Sequence, residues 1–172
     1  VTVFDKDITP EDHIPCGYSG ICSNGKMLLL STVCRKNGGD MIYTSTDSGE
    51  SWKIIMNRLE YSRFDWNIPY MKPSYNGGGN CVHWISDIKF SPFDSDTALF
   101  NTGTGLFMIT GLASGDVLVK PFCEGIEETV HLNVYTTPHG RNRIIDIIGD
   151  LGGFAFEDYD SECENSFANE NG

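Results

Sequence analysis

Two stretches of the chain repeat one outline. MIYTSTDSGESWKII, from Met41, reads as a strand, a turn and a second strand; GLFMITGLASGDVLV, from Gly105, reads the same way with the turn residues changed. Such a unit cannot bury its own apolar face, so copies must stack to make a core, and this constrains the fold towards a propeller or a similar array. The flanking sequence agrees. GKMLLLSTVC (Gly25 to Cys34) is an apolar run of strand length, and DMIYTST and SWKIIM flank a tight turn as a hairpin. WISDIKF alternates from Trp84, TALFNTG and GLFMITG read as a second hairpin, and DVLVKPF and RIIDIIG are further strands. Short β-branched and aromatic runs separated by Gly, Pro, Asn and Ser turns, with almost nothing of helical period, predict an all-β chain.

The 172 residues carry 12 Lys and Arg against 24 Asp and Glu, a net charge of -12. Such a surface repels phosphates, so nucleic acid and anionic membranes are poor partners, whereas a neutral substrate is not repelled. The chain begins at Val1 and has no apolar run long enough for a signal peptide or a membrane span, which reads as a processed chain or a piece of a longer one. Cysteines stand at 16, 22, 34, 81, 123 and 163 without a CxxC pair. That disfavours a zinc knuckle and suits a secreted protein with some disulfides; Cys16–Cys22 and Cys34–Cys81 are candidate pairs, with buried thiols as the alternative. The stretch between the repeats, NRLEYSRFDWNIPYMKPSYNGGGNCVH, is rich in Tyr, Trp, Pro and Gly. Long loops of this composition are commonly functional. Residues 1–160 are expected to form a partial propeller of four-stranded antiparallel blades, about two blades plus the start of a third; residues 161–172 are an acidic, Asn-rich tail expected to fray.

STDSGESW (Ser45 to Trp52) has the form Ser-x-Asp-x-Gly-x-x-Trp. Asp47 can accept hydrogen bonds from turn amides, Gly49 can take positive φ, and Trp52 can pack under the turn. The motif resembles the Asp-box (BNR repeat) of sialidases, sortilin-like receptors and propeller glycosidases. That resemblance implies a structural role for Ser45, Asp47, Gly49 and Trp52, at the hairpin joining the outer strands of a blade.

Three further stretches narrow the likeness: WISDIKFSPFDSDTALFNTGTGLFMI (Trp84 to Ile109), GIEET (Gly125 to Thr129) and GDLGGF (Gly149 to Phe154). In order and spacing they resemble glycoside hydrolase family 74, the xyloglucanases and related endo-β-1,4-glucanases, over most of residues 16 to 160. The resemblance implies a segment of a larger enzyme built as two seven-bladed propellers with a cleft between them. It also implies an inverting mechanism, in which one carboxyl protonates the leaving oxygen and another activates water. From its position alone, Asp150 suits an Asx-turn at a strand end. The family's Gly-Asp-x-Gly-Gly-Phe motif instead carries a catalytic aspartate, and this falls on Asp150. Gly152 and Gly153 beside it have no side chain to obstruct a sugar. The family's second aspartate lies in a Thr-Asp-x-Gly-Gly pattern without a match here, so this chain by itself is expected to have little or no hydrolytic activity. After the Phe the family commonly has a His-Asp-Asp-like run; here the sequence is AFEDYD, with Phe156 at the His position. That departure, with the missing partner, keeps open a non-catalytic Asp-box module that binds carbohydrate or protein.

Trp84 and Trp66 are candidate platforms for a pyranose face, with core packing as the alternative; Tyr61, Tyr70 and Tyr75 accompany Trp66. Glu127 and Glu128 are adjacent, so on a strand they face opposite sides and cannot form an acid–base pair with each other. The four histidines show no HExxH spacing, DYDSE lacks the EF-hand glycine and distal Glu, and no phosphate loop occurs. No metal and no cofactor is expected. The expected partners are a polysaccharide, β-glucan or xyloglucan, and the remainder of a larger propeller chain; the expected location is extracellular.

Overall fold

The computed structural model describes residues 17–33, 40–57, 63–68, 82, 84–126, 129–149, 152–161, 163 and 165–167. Its regular elements are β-strands: β1 Gly17–Ser23, β2 Leu28–Val33, β3 Met41–Ser45, β4 Lys53–Asn57, β5 Asp87–Phe90, β6 Ala98–Thr102, β7 Gly105–Thr110, β8 Leu118–Pro121, β9 His131–Thr136, β10 Ile144–Ile148, β11 Gly152–Phe156 and β12 Asn165–Phe167. Among the described residues they pair into three four-stranded sheets, β1 to β4, β5 to β8 and β9 to β12, each with its strands in chain order. All strand pairs are antiparallel. Four-stranded up-and-down sheets of this kind are propeller blades. The two stretches that share an outline occupy equivalent places, as β3–β4 and β7–β8, the third and fourth strands of their sheets.

The chain divides into two compact units, one drawn from Val1–Asp65 and Val82–Cys123, the other from Trp66–Cys81 and Glu124–Gly172. In the first unit the unbroken apolar run of β2 is explained by burial from Leu29 to Thr32, on both faces of the strand. Leu29, Ile42, Tyr43, Met56, Ile85, Ile88, Phe100, Phe107, Ile109 and Val119 are each at most 1% exposed. Phe100 and Phe107, cross-strand partners, stack with ring centroids 5.4 Å apart. Sheets one and two meet where β1 approaches β5. A Cβ on Gly20 would lie 2.6 Å from Asp87 Oδ1 and 2.7 Å from Ile88 N, so this contact admits only glycine without a shift. The Asn24 side-chain amide donates to the Ser95 carbonyl at 3.1 Å and ties a turn of each sheet together.

The second unit holds the third sheet. Its core is Ile148, Phe154 and Cys163 with Phe156 packed against them, Phe154 and Phe156 meeting edge to face at 6.4 Å. β9 lies at the sheet edge and is exposed at all six residues.

The structure departs from the sequence reading in four places. The third sheet has four strands, not the start of a blade, and Asn165–Phe167, assigned to a fraying tail, is its fourth strand, paired with Gly153, Phe154 and Ala155. A strand not read from the sequence follows Asp150: β11 starts at Gly152. The strand read from Trp84 begins at Asp87, because Trp84 has positive φ and cannot join the pleat. Finally, Cys22 is a free thiol, so it is not bridged to Cys16. It sits within β1 opposite Leu29, and desolvation pushes its pKa up, as expected of a thiol packed as a small apolar residue. Cys16, Cys34 and Cys81 lie outside the described residues.

Candidate functional site

Asp150 lies outside the described residues, as do Glu127, Glu128, Tyr61, Tyr70 and Tyr75; its frame does not. β10 and β11 pair up to Ile148 with Gly152, and the Gly149 amide donates to the Val130 carbonyl at 2.8 Å, lacing the end of β10 to the chain entering β9. Gly152 has φ 94°, a conformation L side chains rarely adopt. Gly153 is buried, and a Cβ there would stand 2.5 Å from the Asp146 carbonyl oxygen. That close backbone approach by itself requires the missing side chain at Gly153. Gly152, the less buried of the two, keeps the expected role of clearance for a sugar open by its place beside the turn.

The same sheet brings together three side chains that the sequence did not single out. His131 Nδ1 lies 2.7 Å from Asp146 Oδ2, and His131 Nε2 lies 2.8 Å from Thr129 Oγ1. Asp146 is 9% exposed, and its Oδ1 is buried without a hydrogen-bond partner among the described residues. His131 pairs with Ile148, two residues before Asp150, across a register shift in β10. A buried carboxylate that fixes an imidazole, whose other nitrogen faces a hydroxyl, can hold or pass a proton at one end of this sheet. The sequence signal for it is slight: Asp146 is the one polar residue in the apolar run IIDII, and a charged residue within an apolar strand calls for a partner.

In the first unit, Trp84 is 61% exposed and has φ 59°. Left-handed backbone at a bulky residue costs about 1–3 kcal/mol and persists only where its surroundings over-determine it. The determinants are visible. Ile85 is fully buried and its amide donates to Asp40 Oδ2 at 3.1 Å; the Ser86 amide donates to the Asn101 carbonyl at 3.2 Å. Asp40 is 1% exposed, and its Oδ1 accepts from Thr32 Oγ1 at 3.3 Å. The indole of Trp84 thus stands out on a pinned backbone, which is not the core packing that was its alternative. Trp66, assigned to the second unit, is half-buried.

The Ser45–Trp52 turn joins β3 to β4. Ser45 Oγ donates to Asp47 Oδ1 at 2.7 Å and accepts the Gly49 amide at 2.9 Å. Asp47 also accepts the Ser51 amide at 2.9 Å and the Ser51 hydroxyl. These bonds, the Ser51 hydroxyl foremost, hold its carboxyl well below the usual range. Gly49 has φ 92°, and Trp52 Nε1 donates to the Gly49 carbonyl at 3.1 Å while its ring packs with Leu30, Met41 and Tyr43. The polar atoms of the turn are spent on the turn itself. Among the described residues no group of three His, Cys, Asp or Glu is placed to hold a metal.

No family model matches the chain. A xyloglucanase of Acetivibrio thermocellus is 28% identical over 179 residues, covering 88% of this chain and 21% of that protein. An oligoxyloglucan-reducing end-specific xyloglucanase of Emericella nidulans is 25% identical over 191 residues, covering 91% and 24%. Among solved structures, the family 74 xyloglucanase of Xanthomonas campestris superposes with a TM-score of 0.66 at 24% identity, over 86% of this chain and 21% of that one. The family 74 enzyme of Niastella koreensis gives 0.61 at 22% identity, over 81% and 20%. The chain spans about a fifth to a quarter of the length of these curated relatives. The likeness read from four short motifs is thus met over most of the chain, in sequence by the curated relatives and in fold by the solved structures: the chain is similar to about one fifth of a glycoside hydrolase family 74 xyloglucanase.

Proposed function

We propose that this chain is part of a secreted glycoside hydrolase that cleaves the β-1,4-glucan backbone of xyloglucan with inversion, and that Asp150 is one of its two catalytic carboxyl groups. The observation that carries the reading is the similarity to proteins named xyloglucanases over 88% of the chain. The glycine frame around position 150 supports it. Inverting hydrolysis uses two carboxyls about 6.5–9.5 Å apart, one protonating the glycosidic oxygen and the other taking a proton from water, and it needs no cofactor. The second carboxyl would come from the remainder of a larger propeller chain. Trp84 and Trp66 would stack on pyranose faces, with Gly152 leaving room at the turn, and the Ser45–Trp52 turn would serve as a structural Asp-box. A net charge of -12 suits a neutral polysaccharide and disfavours nucleic acid and anionic membrane.

The test is reducing-sugar release from xyloglucan by the 172-residue chain and by a longer protein that carries it. Release by the longer protein alone is expected, with Asp150→Asn lowering its rate by about 10²–10⁴-fold, the usual scale for a lost general acid or base. An Asn variant as active as its parent would overturn the assignment. One observation favours a second reading, a non-catalytic Asp-box module. Phe156, at the position where the family commonly has His, packs onto Phe154 and the apolar core. Glucan binding without hydrolysis in either protein would select that reading.

A further inference from the structure

We infer that Asp40 is a positioning residue for carbohydrate binding: a buried carboxylate, carried by the first sheet, that holds Trp84 in the backbone conformation presenting its indole to a pyranose face. The inference rests on the reading of Trp84 as a sugar platform. Asp40 and Trp84 are 44 positions apart in the chain and do not share a strand. Asp40 precedes β3, and Ile85 precedes β5, the first strand of the next sheet.

A buried carboxylate is costly unless hydrogen bonds satisfy it, so its partners indicate what it is for. One oxygen of Asp40 is anchored within its own sheet by Thr32 Oγ1, which in turn accepts the Met41 amide at 2.9 Å. The other oxygen reaches the neighbouring sheet and takes the amide of Ile85, the residue directly after Trp84. Val82 and Ile85, at 1% and 0% exposure, seat the chain on either side of the exposed indole. A solvent-facing loop has no need of a tryptophan at φ 59°; relaxing φ into the ordinary region would change the direction in which its side chain leaves the backbone. The fold instead uses a charge-assisted bond to keep an apolar ring standing in water, a form of preorganisation expected of a ligand surface. The chemistry an exposed indole face recognises is a ring with an apolar C–H face, such as a pyranose.

The test is titration calorimetry of the 172-residue chain with a xyloglucan oligosaccharide. Trp84→Ala is expected to weaken binding about tenfold or more, the loss of a contact of roughly 1.4 kcal/mol. Asp40→Ala is expected to weaken it by a similar factor although Asp40 is buried away from the sugar. The double variant is expected to bind no more weakly than Trp84→Ala alone, because the two residues act as one unit. Asp40→Asn keeps the shape and one acceptor oxygen, should fold if the alanine variant does not, and should fall between parent and alanine. In a Trp66→Phe background, with Trp52 buried, acrylamide quenching of the remaining exposed indole should change in both Asp40 variants. If folded Asp40 variants bind like the parent while Trp84→Ala does not, the positioning role is wrong and the platform stands. If Trp84→Ala binds like the parent, or the parent does not bind, the platform reading fails and the inference with it.

Discussion

Ser45 performs two functions with one hydroxyl: it donates to Asp47 and accepts the amide of Gly49, a buried residue. Removing it leaves that amide with its partner gone, and an unsatisfied buried donor costs about 1–3 kcal/mol. Ser45→Ala should therefore lower stability by about that amount, read from the shift of a urea unfolding midpoint. Asp47 adds a pH dependence whose sign follows from its bonds. They favour the ionised form, so its folded pKa lies below the ordinary 3.8. A depressed carboxyl contributes stability that is complete above its unfolded pKa and is lost as pH falls through the folded one. The stability gap between the chain and its Asp47→Asn variant should thus be constant from pH 7 to 5 and shrink below pH 4. A gap that widened on acidification would assign the effect to another group. Residues of this type are legible in sequence because all their partners lie within eight positions. Asp40 was not, since its decisive partner, the Ile85 amide, lies 45 positions away and no local pattern marks it.

The elements that could be read in advance are those whose two faces differ, or whose burial is complete. The β3–β4 and β6–β7 hairpins declare themselves through apolar runs bracketing short polar turns, and β2 through an apolar run buried on both faces. β1 was missed because GYSGICS carries two glycines and alternates weakly. β9 was missed because it is exposed throughout, so burial leaves no signature on HLNVYT. β11 was missed because it opens on two glycines, which are poor strand formers, yet a neighbouring backbone passes too close to Gly153 for a Cβ. Gly20 in β1 meets the same constraint, where two sheets approach. A substitution pair tests it. Gly20→Ala forces a methyl group against Asp87 and Ile88 and should destabilise by about 1–3 kcal/mol, the usual cost of overpacking. Gly17→Ala, on the same strand, meets only Val33 at an ordinary 3.5 Å and should stay within about 0.5 kcal/mol. Equal effects from the two would show that β1 is sensitive to β-propensity and not to its contact with β5.

At the scale of the molecule, the apolar burial is unevenly divided. The first unit contains two sheets that share a close contact, and the side chains with at most 1% exposure and the largest volumes, Tyr43, Phe100, Phe107, Leu29 and Ile42 among them, all belong to it. The described part of the second unit is one sheet with a small core, Ile148, Phe154 and Cys163, and an edge strand exposed at every residue. Local stability follows buried apolar contact and the shielding of backbone hydrogen bonds. Amide hydrogen exchange should therefore be slowest in β2, β3, β6 and β7, and faster across β9 to β12, with β9 exchanging first in its sheet. The ordering has a functional corollary. Asp150 falls in the sequence between β10 and β11 of the less protected sheet, while Trp84 belongs to the more protected unit. If Asp150 acts on the glucan as proposed, a bound xyloglucan oligosaccharide should slow exchange in β10 and β11, since ordering a loose element leaves a large change in its opening equilibrium. Exchange slowed only around residues 84–90 would place the sugar on the tryptophan alone, and Asp150 would then have no part in holding it.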